Sequence, residues 1–280
     1  MTPVLLDASG LVVALPDLSK KRPFRPPPTI AILHGVDFRI GRGESVGIVG
    51  ESGSGKTTLG RALLRLIEPT AGQVLFDGQD ITHAAEPALR PLRARMTMIF
   101  QNPLAALNPR RTIAASVAAP LVARGGARNT RTKVLRALDR AGLPGAFAGR
   151  YPHQLSGGQR QRVGIARAIV TEPDFILADE IVSGLDVSTQ AQILDLLRDL
   201  RRDMGLALAF ITHDLSVVRV LCERVVVMHQ GRIVEEGGCA DVFAAPRHAY
   251  TRRLLAAIPL PELDERWLDA ETDEARIETA

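Results

Sequence analysis

The sequence predicts an α/β fold in which a mostly parallel β-sheet carries helices on both faces. Short apolar strands alternate with amphipathic helices along most of the chain, and this alternation is typical of parallel sheets. One glycine-rich segment, Gly50–Thr57, lies between a predicted strand and a predicted helix. A helical block from about residue 102 to residue 155 interrupts the alternation, which indicates a helical subdomain inserted into the core.

The chain before the glycine-rich segment contains two apolar stretches, Val4–Leu15 and Ile30–Ile40, joined by a basic, proline-rich loop at Lys20–Pro28. The next apolar run, Ser45–Val49, is a predicted strand that leads directly into the glycines. After them, apolar residues recur at helical spacing: Leu59, Ala62, Leu63 and Leu66. A glycine-rich loop between a strand and a helix is the context that a phosphate-binding loop requires.

The rest of the chain continues the alternation. Further predicted strands are Gln73–Phe76, Met96–Phe100, Phe175–Ala178, Leu206–Ile211 and Arg224–Met228. Predicted helical segments are Thr112–Arg140 with a break at Gly125–Gly126, a helix capped by Ser156 and running to about Val170, and Ser188–Met204. We therefore predict one domain over residues 1–260, with a helical subdomain at about 102–160. The acidic tail 261–280 contains the only tryptophan, Trp267, and we expect it to be weakly ordered.

Composition excludes several classes of protein. The chain has 280 residues, of which 46% are hydrophobic, enough for a sizeable core. No apolar run approaches the ~18–20 residues that cross a bilayer, and no basic region precedes the first apolar stretch, so we expect a cytosolic protein without a signal peptide. The two cysteines do not form a metal-binding pattern. Arginines are interspersed with acids and aromatics are only 4%, which argues against a nucleic-acid partner.

The segment Gly50-Glu51-Ser52-Gly53-Ser54-Gly55-Lys56-Thr57, here called the phosphate loop, matches a nucleoside-triphosphate-binding pattern. Its backbone N–H groups from Ser52 to Thr57 would surround the β-phosphate at the start of a helix, where the helix dipole favours an anion. Lys56 would reach the β- and γ-phosphates, and the Thr57 hydroxyl would coordinate Mg²⁺. The predicted binding set extends to Thr58. The sequence therefore predicts that ATP and Mg²⁺ bind here.

Polar residues follow three of the predicted strands. Asp179 and Glu180 end the strand at Phe175; we expect Asp179 to hold Mg²⁺ through water and Glu180 to act as the general base for hydrolysis. Gln101 follows another strand, where its amide could meet both the Mg²⁺ shell and the attacking water. His213 follows the strand at Leu206, within plausible reach of a γ-phosphate. The predicted catalytic residues are therefore Glu180, His213 and Gln101, and the predicted metal ligands are Thr57, Gln101 and Asp179.

A second motif, Leu155-Ser156-Gly157-Gly158-Gln159, is here called the signature segment. This string arises by chance in roughly one chain in a few thousand of this length. With the phosphate loop, it resembles the motif set of ATP-binding cassette (ABC) ATPases. The matching segments, in chain order, are Gly50–Thr57 for Walker A, Gln101 for the Q-loop, Leu155–Gln159 for the signature, Phe175–Glu180 for Walker B, Ser183–Asp186 for the D-loop and His213 for the H-loop.

Three further strings resemble the ATPase subunits of oligopeptide, dipeptide and nickel importers. They are Gln101-Asn102-Pro103 with Leu107–Arg110, Tyr151–Gln154 before the signature segment, and Val242-Phe243 through His248–Thr251 to Ala256–Pro259. The resemblance implies a RecA-like P-loop core with an N-terminal antiparallel β subdomain and an inserted helical subdomain. It covers nearly the whole chain, from about Leu5 to Pro259.

The resemblance also implies a mechanism and partners. Two cassettes would face each other head to tail, and Ser156, Gly157, Gly158 and Gln159 of one chain, together with Asp186, would contact the nucleotide held by its mate. The mate would be a paralogue or a second copy. Two transmembrane permease subunits would complete the importer, with a coupling helix received around Leu104–Arg111 and a solute-binding protein acting indirectly. The chain would then lie peripherally on the cytoplasmic face of a bacterial inner membrane.

Three departures from the family pattern limit what can be carried over. Ile181 stands where proline usually follows the Walker B glutamate, and Gly184 stands where alanine is usual in the D-loop. The aromatic residue that usually stacks on adenine aligns with Leu15, and Phe24 lies nearby on the proline-rich loop. The adenine contact therefore remains open between these two regions. The tail contains no cysteine, so no iron–sulfur cluster is expected.

Two other functions remain possible at this point. A soluble cassette acting on DNA or ribosomes would carry a long coiled-coil insertion or a second cassette, and neither is evident. The motifs alone give little ground for excluding an accessory cassette that assembles a metabolic complex. The leading interpretation is an ATP-hydrolysing subunit that powers import of peptides or a related small solute; the transported substrate is not encoded in this chain.

Overall fold

The structure is a computed structural model that describes residues 3–17, 27–101, 107–126 and 128–256. Three features predicted above lie outside these ranges. They are Phe24 with most of the proline-rich loop, the segment Asn102–Leu104 with its two following residues, and the acidic tail with Trp267. The predicted domain boundary at residue 260 lies outside them as well, so the proposed division of the chain stays a prediction.

Strands and helices alternate along the described residues as the sequence predicts. The strands are β1 Val4–Pro16, β2 Thr29–Gly41, β3 Ser45–Val49, β4 Ala71–Phe76, β5 Gln79–Asp80, β6 Met96–Ile99, β7 Phe175–Asp179, β8 Ala207–Ile211, β9 Arg224–His229 and β10 Arg232–Gly238. The helices are α1 Lys56–Leu63, α2 Glu86–Leu92, α3 Ile113–Val122, α4 Thr130–Arg140, α5 Gly157–Ile169, α6 Val187–Met204, α7 Leu215–Leu221, α8 Cys239–Ala244 and α9 Ala249–Ala256.

The central sheet has six strands in the order β10-β9-β3-β8-β7-β6. All neighbours are parallel except β9 and β10, which form an antiparallel hairpin at one edge. The strand that precedes the phosphate loop, β3, lies between β8 and β9. Because the carboxyl ends of parallel strands meet at one edge of a sheet, the residues that follow β3, β6, β7 and β8 converge there. The mostly parallel sheet predicted from the sequence is confirmed.

Each face of this sheet is buried in a different hydrophobic cluster, as the period of two in strand side chains requires. In β7, Phe175 and Leu177 belong to one cluster, while Ile176 and Ala178 belong to the other. The cluster that contains Phe175 and Leu177 also contains apolar residues of α1 and of the strands β1, β2 and β4. The cluster that contains Ile176 and Ala178 also contains apolar residues of α5, α6 and α7. This burial on both faces explains why the core strands read as continuous apolar runs.

A separate antiparallel sheet, in the order β2-β1-β4-β5, carries the two N-terminal apolar stretches. β1 pairs with β2 along its length and with β4 on its other side. Side chains of this sheet, Leu11, Phe38 and Phe76 among them, are fully buried in the cluster that also holds α1. The N-terminal antiparallel β subdomain implied by the family resemblance is therefore present, packed over the helix that follows the phosphate loop.

The predicted helical block contains α3, α4 and two short 3₁₀ turns at Gly145–Gly149 and Pro152–Gln154, and it leads into α5. The predicted break at Gly125–Gly126 is confirmed, because α3 ends at Val122 and α4 begins at Thr130. α5 packs against α3 and α4, so the helix that carries the signature segment belongs structurally to this block.

None of the helices in the described part of the chain has the length and apolar character that a membrane span requires. Cys222 and Cys239 are buried thiols, and burial raises the pKa of Cys239 to about 11. Within the described ranges, no cluster of three or more histidine, cysteine or acidic side chains could hold a metal ion by itself.

Candidate functional site

The phosphate loop connects β3 to α1, as predicted, and its backbone is tightly constrained at its first residue. Gly50 has φ +148, and a Cβ built there would lie 2.2 Å from the carbonyl oxygen of Met228 on β9. Only glycine fits this position, because any side chain would clash with backbone that cannot move aside. The Ser54 N–H donates to the Glu51 carbonyl at 3.2 Å, which closes a turn within the loop.

Lys56 begins α1, and its side chain folds back over the loop. The residue is 5% exposed, and its ammonium donates to the carbonyl oxygens of Gly50 at 2.7 Å and Glu51 at 2.8 Å. Burial lowers the pKa of this amine, while the nearby carboxylates of Glu180 and Asp179 act in the opposite direction. The ammonium therefore lies against the phosphate loop, where it is predicted to bind phosphate, and it has little contact with solvent.

Thr57 on α1 and Asp179 at the end of β7 bring two side-chain oxygen atoms close together. The Thr57 hydroxyl donates to Asp179 Oδ1 at 3.3 Å. Asp179 is 5% exposed, and burial raises the pKa of its carboxyl, whereas the Thr57 hydrogen bond opposes that shift. A hydroxyl and a buried carboxylate are hard oxygen ligands of the kind that Mg²⁺ prefers. The residues present thus fit the predicted metal.

Glu180 lies between the two other predicted catalytic side chains. Its Oε2 accepts a hydrogen bond from Gln101 Nε2 at 2.8 Å, and its Oε1 lies 3.5 Å from His213 Nδ1. These three residues come from the ends of β7, β6 and β8, which are adjacent strands. The structure therefore brings together the residues that sequence reasoning assigned to catalysis.

The backbone of Glu180 has an unusual conformation. Its φ is +48 although it is not glycine, and such conformations persist mainly where surrounding contacts impose them. The Glu180 N–H donates to the Ile211 carbonyl of β8 at 2.9 Å, and the Glu180 carbonyl accepts from Ser183 N–H at 3.2 Å. These bonds turn the chain sharply after β7 and direct the carboxylate towards Gln101 and His213. The next residue, Ile181, is 1% exposed and packs into the hydrophobic cluster that contains α5, α6 and α7.

The signature segment forms the start of α5 with a reciprocal cap. The Gln159 N–H donates to the Ser156 hydroxyl at 3.3 Å, and the Ser156 N–H donates to the Gln159 side-chain oxygen at 3.0 Å. Leu155 is buried, whereas Ser156 and Gly157 are exposed. The N–H groups of this first turn are therefore presented at the protein surface, where a helix N-terminus favours an anion.

Asp186 and Gly184 lie between β7 and α6. The Asp186 carboxylate caps α6, because it accepts from the Thr189 N–H at 2.9 Å and from the Thr189 hydroxyl at 2.8 Å. A Cβ on Gly158 would lie 2.5 Å from Thr189 Cγ2, so the starts of α5 and α6 are in close contact. Gly184 has φ +76. This left-handed conformation explains glycine where the family pattern has alanine.

One contact to the phosphate loop was missed by sequence reasoning. The Glu51 N–H donates to the hydroxyl of Tyr250 on α9 at 2.9 Å, across 199 residues of sequence. The sequence signal for this contact is the string His248–Thr251, to which the family resemblance assigns no role. The residue that contacts adenine stays unassigned between the two candidate regions. Leu15 is half-buried and packs against the hydrophobic cluster that contains residues of β1, β2 and α1. Phe24 lies outside the described residues.

Comparison with known proteins gives consistent results. Residues 33–183 match the family model described as ABC transporter. A candidate peptide import ATP-binding protein of Brucella ovis is 54% identical over 240 residues, which cover 85% of this chain and 76% of that protein. The oligopeptide transport ATP-binding protein AppF of Bacillus subtilis is 47% identical over 82% of this chain and 71% of its own length.

A solved structure shows the same fold. The dimeric post-hydrolysis structure of the ATP-binding cassette MJ0796, bound to ADP and Pi, aligns with a TM-score of 0.73 and 32% identity. The alignment covers 84% of this chain and 99% of that one. The alignment therefore spans most of this chain and nearly all of the other.

Proposed function

Because this chain belongs to the ABC transporter family, we propose that it is the ATP-binding and ATP-hydrolysing subunit of an importer for peptides or a related small solute. The observation that carries the hydrolytic part is the position of Glu180, whose carboxylate lies between Gln101 and His213. The importer assignment is supported by the relatives that are named for peptide and oligopeptide transport. Solute passage is then the task of partner membrane subunits.

ATP binds at the phosphate loop and α1. ATP supplies the anionic polyphosphate and the free energy of its hydrolysis. The N–H groups of Ser52–Thr57 and the Lys56 ammonium donate to phosphate oxygens. Thr58, the next residue of α1, belongs to the same nucleotide-binding set. Lys56 now donates to two loop carbonyls, so phosphate oxygens replace one or both of these acceptors. A buried ammonium exchanges them readily, because a charged acceptor binds it about twice as strongly as a neutral one.

The residues that would hold Mg²⁺ are Thr57 through its hydroxyl, Gln101 through its amide and Asp179 through a water. This small set matches a cation that keeps several waters and takes its other ligands from phosphate. When bound, the ion neutralises charge on the transferring phosphoryl group. The 3.3 Å separation between Thr57 and Asp179 oxygens supports a shared shell.

Glu180 acts as the general base that polarises the attacking water. Its carboxylate is a third or less exposed and is oriented by the Gln101 amide. His213, which is largely exposed, lies beside the other carboxylate oxygen and contacts the γ-phosphate in the closed state. A base held by two neighbours keeps one geometry, and general-base catalysis of this kind contributes roughly 10²- to 10⁴-fold to rate.

The closed state contains two cassettes, as in the dimeric structure of MJ0796. In the proposed head-to-tail arrangement, Ser156, Gly157, Gly158 and Gln159 contact the nucleotide of the mate, and the exposure of Ser156 and Gly157 supports this role. Asp186 acts at the same contact through its cap on α6. The mate is a paralogue or a second copy. ATP favours the closed dimer only if it binds the closed state more tightly than the open state, and hydrolysis reopens the dimer only if ADP has a weaker preference for the closed state.

The remaining partners are two transmembrane permease subunits, with a solute-binding protein acting indirectly, and no nucleic acid. The chain then lies peripherally on the cytoplasmic face of a bacterial inner membrane. The region proposed to receive the coupling helix, Leu104–Arg111, is described only from Leu107 onwards.

Affinity purification of the tagged chain from detergent-solubilised membranes tests this proposal. The Glu180→Gln variant with ATP holds the closed state, and the expected co-purifying proteins are multi-span permeases. Recovery of soluble enzymes alone would favour an accessory cassette of a non-transport complex. Recovery of ribosomes or DNA-bound proteins would favour the nucleic-acid-linked class.

A further inference from the structure

Tyr250, on α9, the last helix of the described residues, contacts the phosphate loop directly. The residue is 2% exposed, and its hydroxyl accepts a hydrogen bond of 2.9 Å from the backbone N–H of Glu51. This N–H precedes the Ser52–Thr57 groups that surround the phosphates. The tyrosine therefore fixes the entrance of the loop without competing for the groups that bind the ligand.

The tyrosine is itself held in place by the β9–β10 hairpin. The His229 ring, at the end of β9, stacks on it with centroids 4.0 Å apart and planes inclined by 28°. The Tyr250 N–H donates to His248 Nδ1 at 3.1 Å. The turn before α9 is held by Glu235 of β10, which accepts from the N–H groups of Arg247 at 2.7 Å and His248 at 3.0 Å. Tyr250 thus has one well-defined position.

The same hairpin holds the far side of the loop. The Gly231 N–H donates to the Ser54 carbonyl at 3.0 Å, and the Gly231 carbonyl accepts from the His34 N–H of β2 at 3.0 Å. The Met228 carbonyl fills the space beside Gly50. The loop is therefore bonded at Glu51 by α9 and at Ser54 by the hairpin turn. These two contacts lie on either side of the residues Ser52 and Gly53, which are exposed.

Fixing Glu51 matters because binding a polyphosphate requires several loop N–H groups to point at one centre. If the loop must be ordered during binding, that cost is subtracted from affinity; if it is ordered beforehand, affinity rises. Burial raises the pKa of the Tyr250 phenol, so its oxygen remains neutral and accepts the Glu51 N–H at physiological pH.

We propose that Tyr250 is a positioning residue for the phosphate loop, through which α9 and the β9–β10 hairpin set the affinity of the chain for nucleotides that carry a β-phosphate. The proposal rests on the ATP-binding function above. It assigns a role to the segment His248–Thr251 that is independent of transport: this segment completes the nucleotide site of its own chain.

The test is the Tyr250→Phe variant of the full chain, which removes only the hydroxyl. Affinities for ATP, ADP and AMP are measured by displacement of a fluorescent N-methylanthraniloyl nucleotide, well below the unfolding temperature. Losing one buried hydrogen bond predicts that the Kd for ATP and ADP rises about 3- to 10-fold, while the Kd for AMP is unchanged. A purely structural role would lower the melting temperature and leave all three affinities of the folded protein unaltered.

Tyr151→Phe is the matched control, because it makes the same chemical change at the other tyrosine of the chain. Tyr151 is 38% exposed and lies in the helical block, at the start of the 3₁₀ turn Pro152–Gln154. We expect wild-type affinity for ATP, ADP and AMP in this variant. Wild-type affinity for ATP in Tyr250→Phe would overturn the proposal, as would an equal loss for ATP and AMP, because the effect would then not concern the loop.

A second variant tests how the tyrosine is held. His229→Ala removes the stacked ring, and we expect it to weaken ATP binding by a smaller factor in the same direction. In the Tyr250→Phe background the effect of His229→Ala on ATP affinity should shrink, because the ring acts through the hydroxyl. Full additivity would contradict that coupling. Failure of the ATP-binding function is distinguishable, since Lys56→Ala would then bind ATP like the wild type.

Discussion

Replacing Glu180 with glutamine gives the sharpest test of the hydrolytic site. The substitution keeps the size of the side chain and one carbonyl oxygen to accept the 2.8 Å hydrogen bond from Gln101. It removes the negative charge that would polarise water. General-base catalysis contributes roughly 10²- to 10⁴-fold, so turnover should fall at least 100-fold, which corresponds to about 3 kcal/mol of transition-state stabilisation.

ATP affinity should stay the same or increase in this variant. Glu180 contacts Gln101 and His213, and the phosphate loop is held by other bonds. Its carboxylate also repels the polyphosphate that Lys56 attracts, so removing the charge removes a like-charge interaction. Hydrolysis is measured as phosphate release at saturating ATP and Mg²⁺, and binding is measured separately at equilibrium. Sedimentation with a suitable partner cassette should show association that depends on ATP.

The control is Glu86→Gln, which makes the same chemical change at an exposed carboxylate on α2 that pairs with Arg93. Its turnover should match the wild type. The reasoning is refuted if Glu180→Gln retains turnover within about threefold of wild type, since no base that contributes 10²-fold could then be at this position. It is also refuted if the variant loses ATP binding while remaining folded, because the Glu180 carboxylate would then be needed for nucleotide binding at the phosphate loop.

Three further predictions concern the same region. Lys56→Ala should weaken ATP binding about 100-fold, since two charge-assisted hydrogen bonds are lost, whereas Ala at the exposed Lys133 should bind normally in the same titration. Gly184→Ala should lower stability by about 1 kcal/mol, seen as a fall of about 3 °C in melting temperature, because φ is +76 there; an unchanged melting temperature would show that the turn relaxes. Ile181→Pro should leave ATPase activity within about threefold while lowering stability, because the isoleucine is 1% exposed and its loss leaves a cavity; a large loss of activity would mean that this position controls Glu180.

Much of the fold was predictable because it depends on local patterns. The strand Ser45–Val49 and the cap at Ser156 match the structure residue for residue, since apolar periodicity and capping act over a few residues. The convergence of Gln101, Glu180 and His213 also followed from the sequence, because each comes after a strand of a parallel sheet. The family resemblance then assigned their roles.

Other features could not be predicted in this way. Helices α2, α7 and α8, with strand β10, are short elements whose periodicity was not recognised. The left-handed conformation of Glu180 is imposed by bonds to Ile211 and Ser183, and no local propensity favours it in glutamate. The role of Asp186 as the cap of α6 appears only once the start of that helix is known.

The sequence by itself determined which chemical groups are present and the order in which they follow strands and helices, because those depend on residues close together in the chain. The tertiary structure decided which distant groups meet. It placed the Tyr250 hydroxyl on the Glu51 N–H and the Met228 carbonyl beside Gly50. Such contacts depend on how the β9–β10 hairpin and α9 pack at the sheet edge, and packing of distant segments leaves no periodic signal in a single sequence.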